Sequence, residues 1–351
     1  MERWLVAMSG GVDSAVTACL LAQQGHELLG VTMSLYRAAQ DGACGSLSDA
    51  RDAADICVKL GFAHQTVDLA EAFDRCVIAP FARAYAGGQT PNPCILCNRH
   101  LKFGALFEMA MQNGCDGIAT GHYARVRYDE ASGRYLLCKA AHPEKDQSYV
   151  LYTLTQPILE RLRFPLGELT KPQVRALAEQ FGLHCAAKPD SQDICFVPDG
   201  DYAAFLERQC GIACPEGDFV NEAGTVLGRH RGIIRYTVGQ RKGLGLSLPA
   251  PLFVLHKDAE NHRVVLGPSE RLFTTTLTAG DCNWIAFDTP QAPFRCAAKA
   301  RYRQAESPCT VTPLDNGTVR VDFDTPQRAI TPGQAVVFYD GDVVLGGGTI
   351  L

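Results

Sequence analysis

Ser9-Gly10-Gly11-Val12-Asp13-Ser14 decides how this chain is read. A short apolar run, Leu5-Val6-Ala7-Met8, precedes it, and a helical pattern from Ala15 to Gln24 follows it. Strand, glycine turn and helix start is the layout of an anion-binding site. Gly10 and Gly11 let the backbone turn tightly and present its N–H groups. The helix N-terminus adds the positive end of its dipole. Ser9 and Ser14 offer hydroxyl donors. Asp13 would repel a phosphate bound there unless a cation lies between them, which points to Mg²⁺. Two other nucleotide loops are excluded. The lysine of Gly-x-x-x-x-Gly-Lys-Ser/Thr is missing, and so is the Gly-x-Gly-x-x-Gly fingerprint.

Outward from the loop, strands and helices alternate. Strands are expected over Leu28 to Leu35, His64 to Leu69 and Cys115 to Thr120, and helices over Ser48 to Leu60, Glu71 to Ala86 and Phe103 to Gln112. This order predicts a doubly wound parallel sheet covered by helices on both faces, with ligands at the carboxyl ends of its strands. A further helix is expected within Leu166 to Leu183, where Pro172 suits a first turn after Thr170. Residues 200–262 are rich in glycine and basic side chains. From 263 to 351, short runs such as Val264 to Leu266, Val319 to Phe323 and Ala335 to Tyr339 alternate with turns. Asp315-Asn316-Gly317 and Asp340-Gly341 are hairpin turns. The tail therefore reads as a small antiparallel β-barrel. The expected division is an α/β catalytic domain over 1–199, a small central domain over 200–262 and a barrel over 263–351.

Hydrophobic residues make up 46% of the 351, as in a soluble globular protein. No apolar run reaches the length of a membrane span, and the first strand leaves no room for a signal peptide, so the expected location is the cytoplasm. A net charge of −5 argues against indiscriminate binding to nucleic acid. One stretch differs locally: from Val226 to Lys257 there is no acid, but Arg229, Arg231, Arg235, Arg241, Lys242 and Lys257 all occur. Such a run is most often a solvated face.

The 15 cysteines are an odd number, which does not suit a disulfide framework. Cys19, Cys57 and Cys76 fall in apolar helical patterns and read as packing residues. Thr90-Pro91-Asn92-Pro93-Cys94-Ile95-Leu96-Cys97-Asn98 reads as a rigid loop, its backbone fixed by two prolines. Its Cys94-x-x-Cys97 has three readings: half of a zinc site, a redox pair, or one reactive thiol with a neighbour. Spacing alone leaves all three open. Cys195, in Lys188-Pro189-Asp190-Ser191-Gln192-Asp193-Ile194-Cys195-Phe196, sits in a polar turn rather than on an apolar face.

The opening hexapeptide resembles the loop of the ATP pyrophosphatases, which transfer AMP from ATP and release pyrophosphate. The whole chain resembles the bacterial and mitochondrial tRNA 2-thiouridylases. The motifs that carry this resemblance are Ser9 to Ser14, Thr90 to Asn98, Ala119 to Tyr123, Lys145 to Tyr149, Asp190 to Phe196, Tyr236 to Gly245, Arg301 to Arg303 and Thr331 to Gln334. The resemblance implies an adenine-nucleotide α-hydrolase-like first domain and ATP-dependent replacement of the 2-oxygen of the wobble uridine by sulfur. It implies that Cys97 is the nucleophile, that Cys195 carries a persulfide, and that the two pass through a transient disulfide. Asp13 is placed in the catalytic loop. ATP would be held by Ala7, Met8, Ser9, Gly10, Gly11, Val12, Asp13 and Ser14, with Met33 and Gly121 near the adenosine and Mg²⁺ near Asp13. Asn92, Pro93 and Cys94 would meet the target base. His122, Lys145, Asp146, Gln147, Arg301, Tyr302 and Gln334 would contact tRNA, and the basic stretch would neutralise its phosphates. The acceptors implied are the tRNAs for Lys, Glu and Gln. The sulfur would come from a cysteine desulfurase or a relay protein.

The residue types suit this chemistry. A C2 oxygen leaves readily only as AMP, and a persulfide is available as a soft anion at neutral pH. Three other readings are kept. One is the same thiolation with an iron–sulfur cluster held by Cys94, Cys97 and Cys195. The second is an adenylating ligase for a small metabolite, and the third a redox-sensing or RNA-binding protein that retains ATP binding.

Overall fold

The computed structural model describes residues 1–36, 47–188, 194–197, 199–247 and 250–351. Strand β1 (Arg3–Ala7) alternates its side chains between two cores, as the period of a strand demands. Leu5 packs with Leu29, Val31, Phe103 and Leu106 on one face, while Trp4 and Val6 pack with Val16, Ile56 and Val174 on the other. Helix α1 (Val12–Gln23) leads to β2 (Glu27–Ser34), and α2 (Leu47–Leu60) leads to β3 (Ala63–Asp68). With β4 (Gly117–Ala119) and β7 (Leu162–Arg163) they form a parallel sheet in the order β3-β2-β1-β4-β7. The chain winds away in opposite directions from β1 and from β4. The loops leaving these two strands therefore open a crevice at the carboxyl edge.

The stretch read as a rigid loop is partly helical, which corrects that expectation. Helix begins at Pro93–Cys97 and continues through a π-helical segment, Asn98–Ala105, into Leu106–Gln112. Asn92 caps it by accepting the Cys94 N–H at 3.1 Å, and Pro93 occupies the first turn, where a missing N–H costs nothing.

Helix Tyr202–Cys210 precedes a four-stranded sheet of β8 (Gly217–Asn221), β9 (Val226–His230), β10 (Phe253–Asp258) and β11 (Arg263–Gly267). Val264 to Leu266, expected in the barrel, lie in β11. They pair with β10 and β8 because a short turn folds β11 straight back onto β10.

The remaining strands are β12 (Phe273–Trp284), β13 (Phe294–Lys299), β14 (Ser307–Pro313), β15 (Val319–Arg328), β16 (Ala335–Asp340) and β17 (Val343–Ile350). They close an antiparallel barrel in the order β12-β15-β14-β13-β16-β17, with β17 returning to β12. Both expected hairpin turns join strands of this barrel. A hairpin from the first domain, β5 (Ala124–Asp129) with β6 (Arg134–Lys139), extends the barrel sheet by pairing Cys138 with Val343. Neither this hairpin nor its pairing with the barrel was expected.

Candidate active site

The loop after β1 has the form its glycines require. Gly10 takes φ +70°, and a Cβ there would lie 2.5 Å from the backbone oxygen of Asp49 in the first turn of α2. Ser14 Oγ accepts the Ser9 N–H at 3.1 Å and donates to Gly11 O at 3.0 Å, which closes the turn. Helix α1 starts on Gly11 with no side-chain cap, so its first N–H groups face outward. Gly121, after β4, lies against this helix start: a Cβ there would come 2.8 Å from the Asp13 carbonyl carbon.

Asp13 already has a cation. Lys171 Nζ donates to both of its carboxylate oxygens at 2.8 Å, and Tyr123 OH donates to Oδ1 at 2.7 Å. Lys171 opens the helix Lys171–Gln180, whose Thr170–Gln173 capping box fixes where it starts. Neither Lys171 nor Tyr123 was among the expected site residues. Only the fold brings them to Asp13; Tyr123 ends the Ala119 to Tyr123 motif without an assigned role, and no local pattern points to Lys171.

The crevice holds a cavity of about 800 Å³. Ala7 to Ser9, Gly11 to Ser14, Met33 and Gly121 line one side of it, as expected of a nucleotide site. Lys145, Asp146, Gln147 and His122 line it as well, and Lys299, Tyr302, Arg303 and Gln304 close it from the barrel. Lys102, Lys145, Lys171, Lys299 and Arg303 bring positive charge to a wall whose acids are Asp13, Glu144 and Asp146. An uncapped helix start beside such a wall fits a polyphosphate.

Several residues expected to contact RNA carry internal bonds. Asp146 accepts from Ala140 N at 2.9 Å and from Ser148 Oγ at 2.7 Å. Gln147 Oε1 accepts the Tyr123 N–H at 2.9 Å. Arg301 points into the seam between the central sheet and the barrel, where its Nη2 donates to Val238 O, Ala329 O and Thr331 Oγ1. Gln334 Nε2 donates to Thr90 O, and Thr90 N donates to Pro332 O at 3.0 Å. Gly333, at φ +86°, lets the backbone approach, since a Cβ there would meet Gln89 Cβ at 2.9 Å. The barrel thus braces the segment that presents Asn92, Pro93 and Cys94. Tyr302 is 40% exposed and donates to Asp146 O at 3.1 Å. Burial, then the nearby Asp146 and Cys94, raises its phenol pKa.

His122 is buried between Phe103 and Phe164. Lys102 Nζ lies 3.4 Å from its Nε2, and Thr120 Oγ1 lies 2.7 Å from its Nδ1. An ammonium group only donates, so Nε2 accepts and Nδ1 carries the proton it gives to Thr120. Burial and then the charge of Lys102 hold the imidazole pKa well below its ordinary value.

Cys97 and Cys195 are half-buried and do not line the cavity, whereas Cys94 is exposed. Both half-buried thiols pack against one apolar cluster that includes Leu35, Phe73, Phe81, Leu101 and Phe196. Although 98 residues apart in sequence, they pack against the same apolar cluster, which Met33 of the cavity lining also joins. Asp190 to Asp193, in the approach to Cys195, lie outside the described residues. Lys188, just before them, is tied to the nucleotide loop. Its Nζ donates to Gly10 O at 3.3 Å, Asp49 at 3.1 Å and Asp52 at 2.6 Å. Among the described residues no three His, Cys, Asp or Glu side chains converge as a metal-ligand set.

The basic stretch is only partly free for an anion. Arg235 is paired with Glu207 at 2.6 Å, and Lys257 lies over the Tyr85 ring, its pKa lowered by burial to about 8. Arg231, Arg241 and Lys242 are exposed. No helix among the described residues is long and apolar enough to cross a membrane.

Three family models match consecutive segments: a tRNA methyl transferase HUP domain over residues 2–199, a tRNA methyl transferase PRC-barrel domain over 203–268, and an aminomethyltransferase beta-barrel domain over 274–350. The chain is 49% identical to the tRNA-specific 2-thiouridylase MnmA of Acetivibrio thermocellus, across 99% of both chains. It is 50% identical to that of Syntrophotalea carbinolica, across 99% of this chain and 97% of the relative. Among solved structures, the U34-tRNA thiolase NcsA of Methanococcus maripaludis with its 4Fe-4S cluster is 20% identical over 59% of this chain and 67% of that one, at a TM-score of 0.35.

Proposed function

The chain belongs to the tRNA-specific 2-thiouridylases, and we propose that it replaces the 2-oxygen of the wobble uridine of tRNA with the terminal sulfur of a persulfide on Cys195. The observation that carries this reading is the end-to-end identity to curated thiouridylases, with two half-buried thiols on one cluster beside an anion-binding crevice. The domain-model descriptions speak of methyl transfer. The full-length relatives are the better guide, because they cover all three domains of this chain together.

The loop Ala7 to Ser14 holds the phosphates of ATP, with Met33 and Gly121 toward the adenosine. Because Lys171 neutralises Asp13, Mg²⁺ enters with the ATP phosphates rather than on a dedicated protein cage. The uridine C2 oxygen attacks the α-phosphorus, the bond to the bridging oxygen breaks, and pyrophosphate leaves. The terminal persulfide sulfur then attacks C2, and AMP departs with the original oxygen. Cys97 thiolate attacks the Cys195 sulfur, the sulfur–sulfur bond to the base breaks, and 2-thiouridine is released. A Cys97–Cys195 disulfide remains, and a thiol reductant returns it to two thiols, as a reducing cytoplasm allows. The base has to leave its stack to be reached, which suits an anticodon-loop position. Acceptors are the tRNAs for Lys, Glu and Gln, and a cysteine desulfurase or relay protein reloads Cys195.

The test is mass spectrometry of tRNA from cells lacking the gene and carrying wild type, Cys97→Ser or Cys195→Ser. Wobble 2-thiouridine is expected only with wild type. Its return with either serine variant rules out the proposed sulfur path.

A further inference from the structure

We propose that Lys102 is the cation that meets the phosphate charge built up during adenylation, and that the Thr120–His122 couple aims it. This rests on the thiolation reading above and assigns a residue to its first step.

The Ser9 to Ser14 loop has no lysine of its own, so cationic help has to come from elsewhere in the fold. Of the five described cations lining the cavity, Lys171 is committed to Asp13 at 2.8 Å, Lys299 faces Glu306 at 3.6 Å, and Lys145 and Arg303 stand beside Glu144 and between Tyr302 and Gln304 in sequence, away from the helix that carries Cys97. Lys102 is set against a neutral imidazole instead, with its Nζ 3.4 Å from His122 Nε2. A carboxylate in that place would cancel the lysine's charge, whereas a neutral acceptor fixes its direction and leaves its field intact. The imidazole is itself fixed. Its Nδ1–H goes to Thr120 Oγ1 at 2.7 Å, and Phe103 and Phe164 hold the ring. Thr120 directly follows β4, so the couple hangs from the strand edge that opens the crevice. A donor fixed in advance in this way costs no reorganisation at the moment of reaction.

The helix supplies the second argument. Asn98–Ala105 is π-helical, and Cys97 immediately precedes it. In that geometry hydrogen bonds run from i to i+5, so residues five apart come close to one face. In an α-helix a five-residue step leaves them well apart around the axis. Lys102 is five residues beyond Cys97. The π-segment thus sets the backbone of the cavity lysine one turn beyond the cluster-packed thiol on one continuous helical element. Local π geometry recurs at functional sites.

In the step concerned, an electron pair of the uridine C2 oxygen forms the bond to the α-phosphorus. The bond from that phosphorus to the bridging oxygen breaks, and pyrophosphate takes its electron pair. Lys102 donates hydrogen bonds to the phosphoryl oxygens and keeps its protons throughout.

Pyrophosphate release in a single turnover with tRNA tests this, beside calorimetric ATP affinity and tRNA affinity. Lys102→Gln is expected to slow release about 100-fold, the loss typical of one preorganised donor, with tRNA affinity within about threefold of wild type. Lys102→Arg is expected to recover at least tenfold over Lys102→Gln. Nitrogen NMR of labelled histidine should show His122 as the Nδ1–H tautomer without titration across neutral pH, and Lys102→Met should move the Nε2 resonance. Wild-type release by Lys102→Gln overturns the proposal, as does equal loss by the Arg and Gln variants. Should Lys102→Gln not fold, Lys102→Met against Lys102→Arg decides by the same ratio. No tRNA-dependent pyrophosphate release by wild type would instead refute the thiolation reading.

Discussion

Gly10→Ala tests whether the loop after β1, the start of α2 and Lys188 are one mechanical unit. The residue sits at φ +70°, where an L side chain costs roughly 1–2 kcal/mol. Its new methyl would lie 2.5 Å from Asp49 O and 2.8 Å from Asp49 Cα, both backbone atoms that no rotamer change can move. Relief requires the start of α2 to shift, and overpacking of this kind adds roughly 1–3 kcal/mol. The sum is about 3 kcal/mol, or a fall in melting temperature of about 6–12 °C for a domain of this size. The shift has a chemical consequence, because Lys188 bonds Gly10 O, Asp49 and Asp52 together. Moving Asp49 loosens Lys188, seven residues before Cys195 in sequence. Both ATP affinity and sulfur transfer should therefore fall. Differential scanning fluorimetry, ATP calorimetry and a reconstituted thiolation assay read the three effects. A variant that melts within 1–2 °C of wild type and binds ATP normally would show that the close approach to Asp49 constrains nothing.

Arg301→Ala should destabilise the protein by about 3 kcal/mol, because a half-buried guanidinium leaves three acceptors on two domains. If Arg301 is a clamp, the salt dependence of tRNA binding stays at the wild-type slope; a phosphate contact would lower that slope by about one. Asp52→Asn tests the Lys188 knot by pH. The Lys188 hydrogen bond holds the Asp52 carboxyl below its ordinary 3.8, so the pair stabilises the fold above that range and loses its effect as pH falls through the lowered value. The variant should melt below wild type at neutral pH, with the gap closing only in acid; a gap that persists unchanged at pH 2 would contradict the assignment. Anaerobically purified protein should thiolate tRNA from a persulfide donor while holding substoichiometric iron, and one full cluster per chain would favour the three-cysteine cluster instead.

The first four strands of the parallel sheet were legible because each apolar run is bounded by turns and helical patterns, and the loop after β1 because its glycines meet a local demand; the edge strand β7 was not expected, since two residues carry no period. Thr90 to Asn98 was misread for a local reason as well. Two prolines suggested an extended loop, yet Asn92-Pro93 is itself a helix start, with cap and first-turn proline in their usual places. The central sheet was obscured by glycine and basic residues, which raised the turn content of short strands. Val264 to Leu266 were seen as a strand but given the wrong neighbours, since pairing depends on register across a sheet and not on the strand's own composition.

The site was legible to the extent that its chemistry is written in single side chains. Cys97 and Cys195 were singled out by the family resemblance, while Lys171 and Lys102 look like ordinary helix lysines. What distinguishes them is the partner each meets: a carboxylate 158 residues away for one, a neutral imidazole for the other. The same logic applies to Thr331 to Gln334 and Thr90 to Cys94. Each motif has residues without an evident local role, because the two bond to each other across the seam between barrel and catalytic domain. The barrel therefore supports the Thr90 to Cys94 segment of the candidate site. Cutting the Gln334–Thr90 bond with Gln334→Ala should impair positioning of the base, raising KM for tRNA more than it lowers pyrophosphate release at saturation. Equal loss of both would mean that the barrel acts only through overall stability.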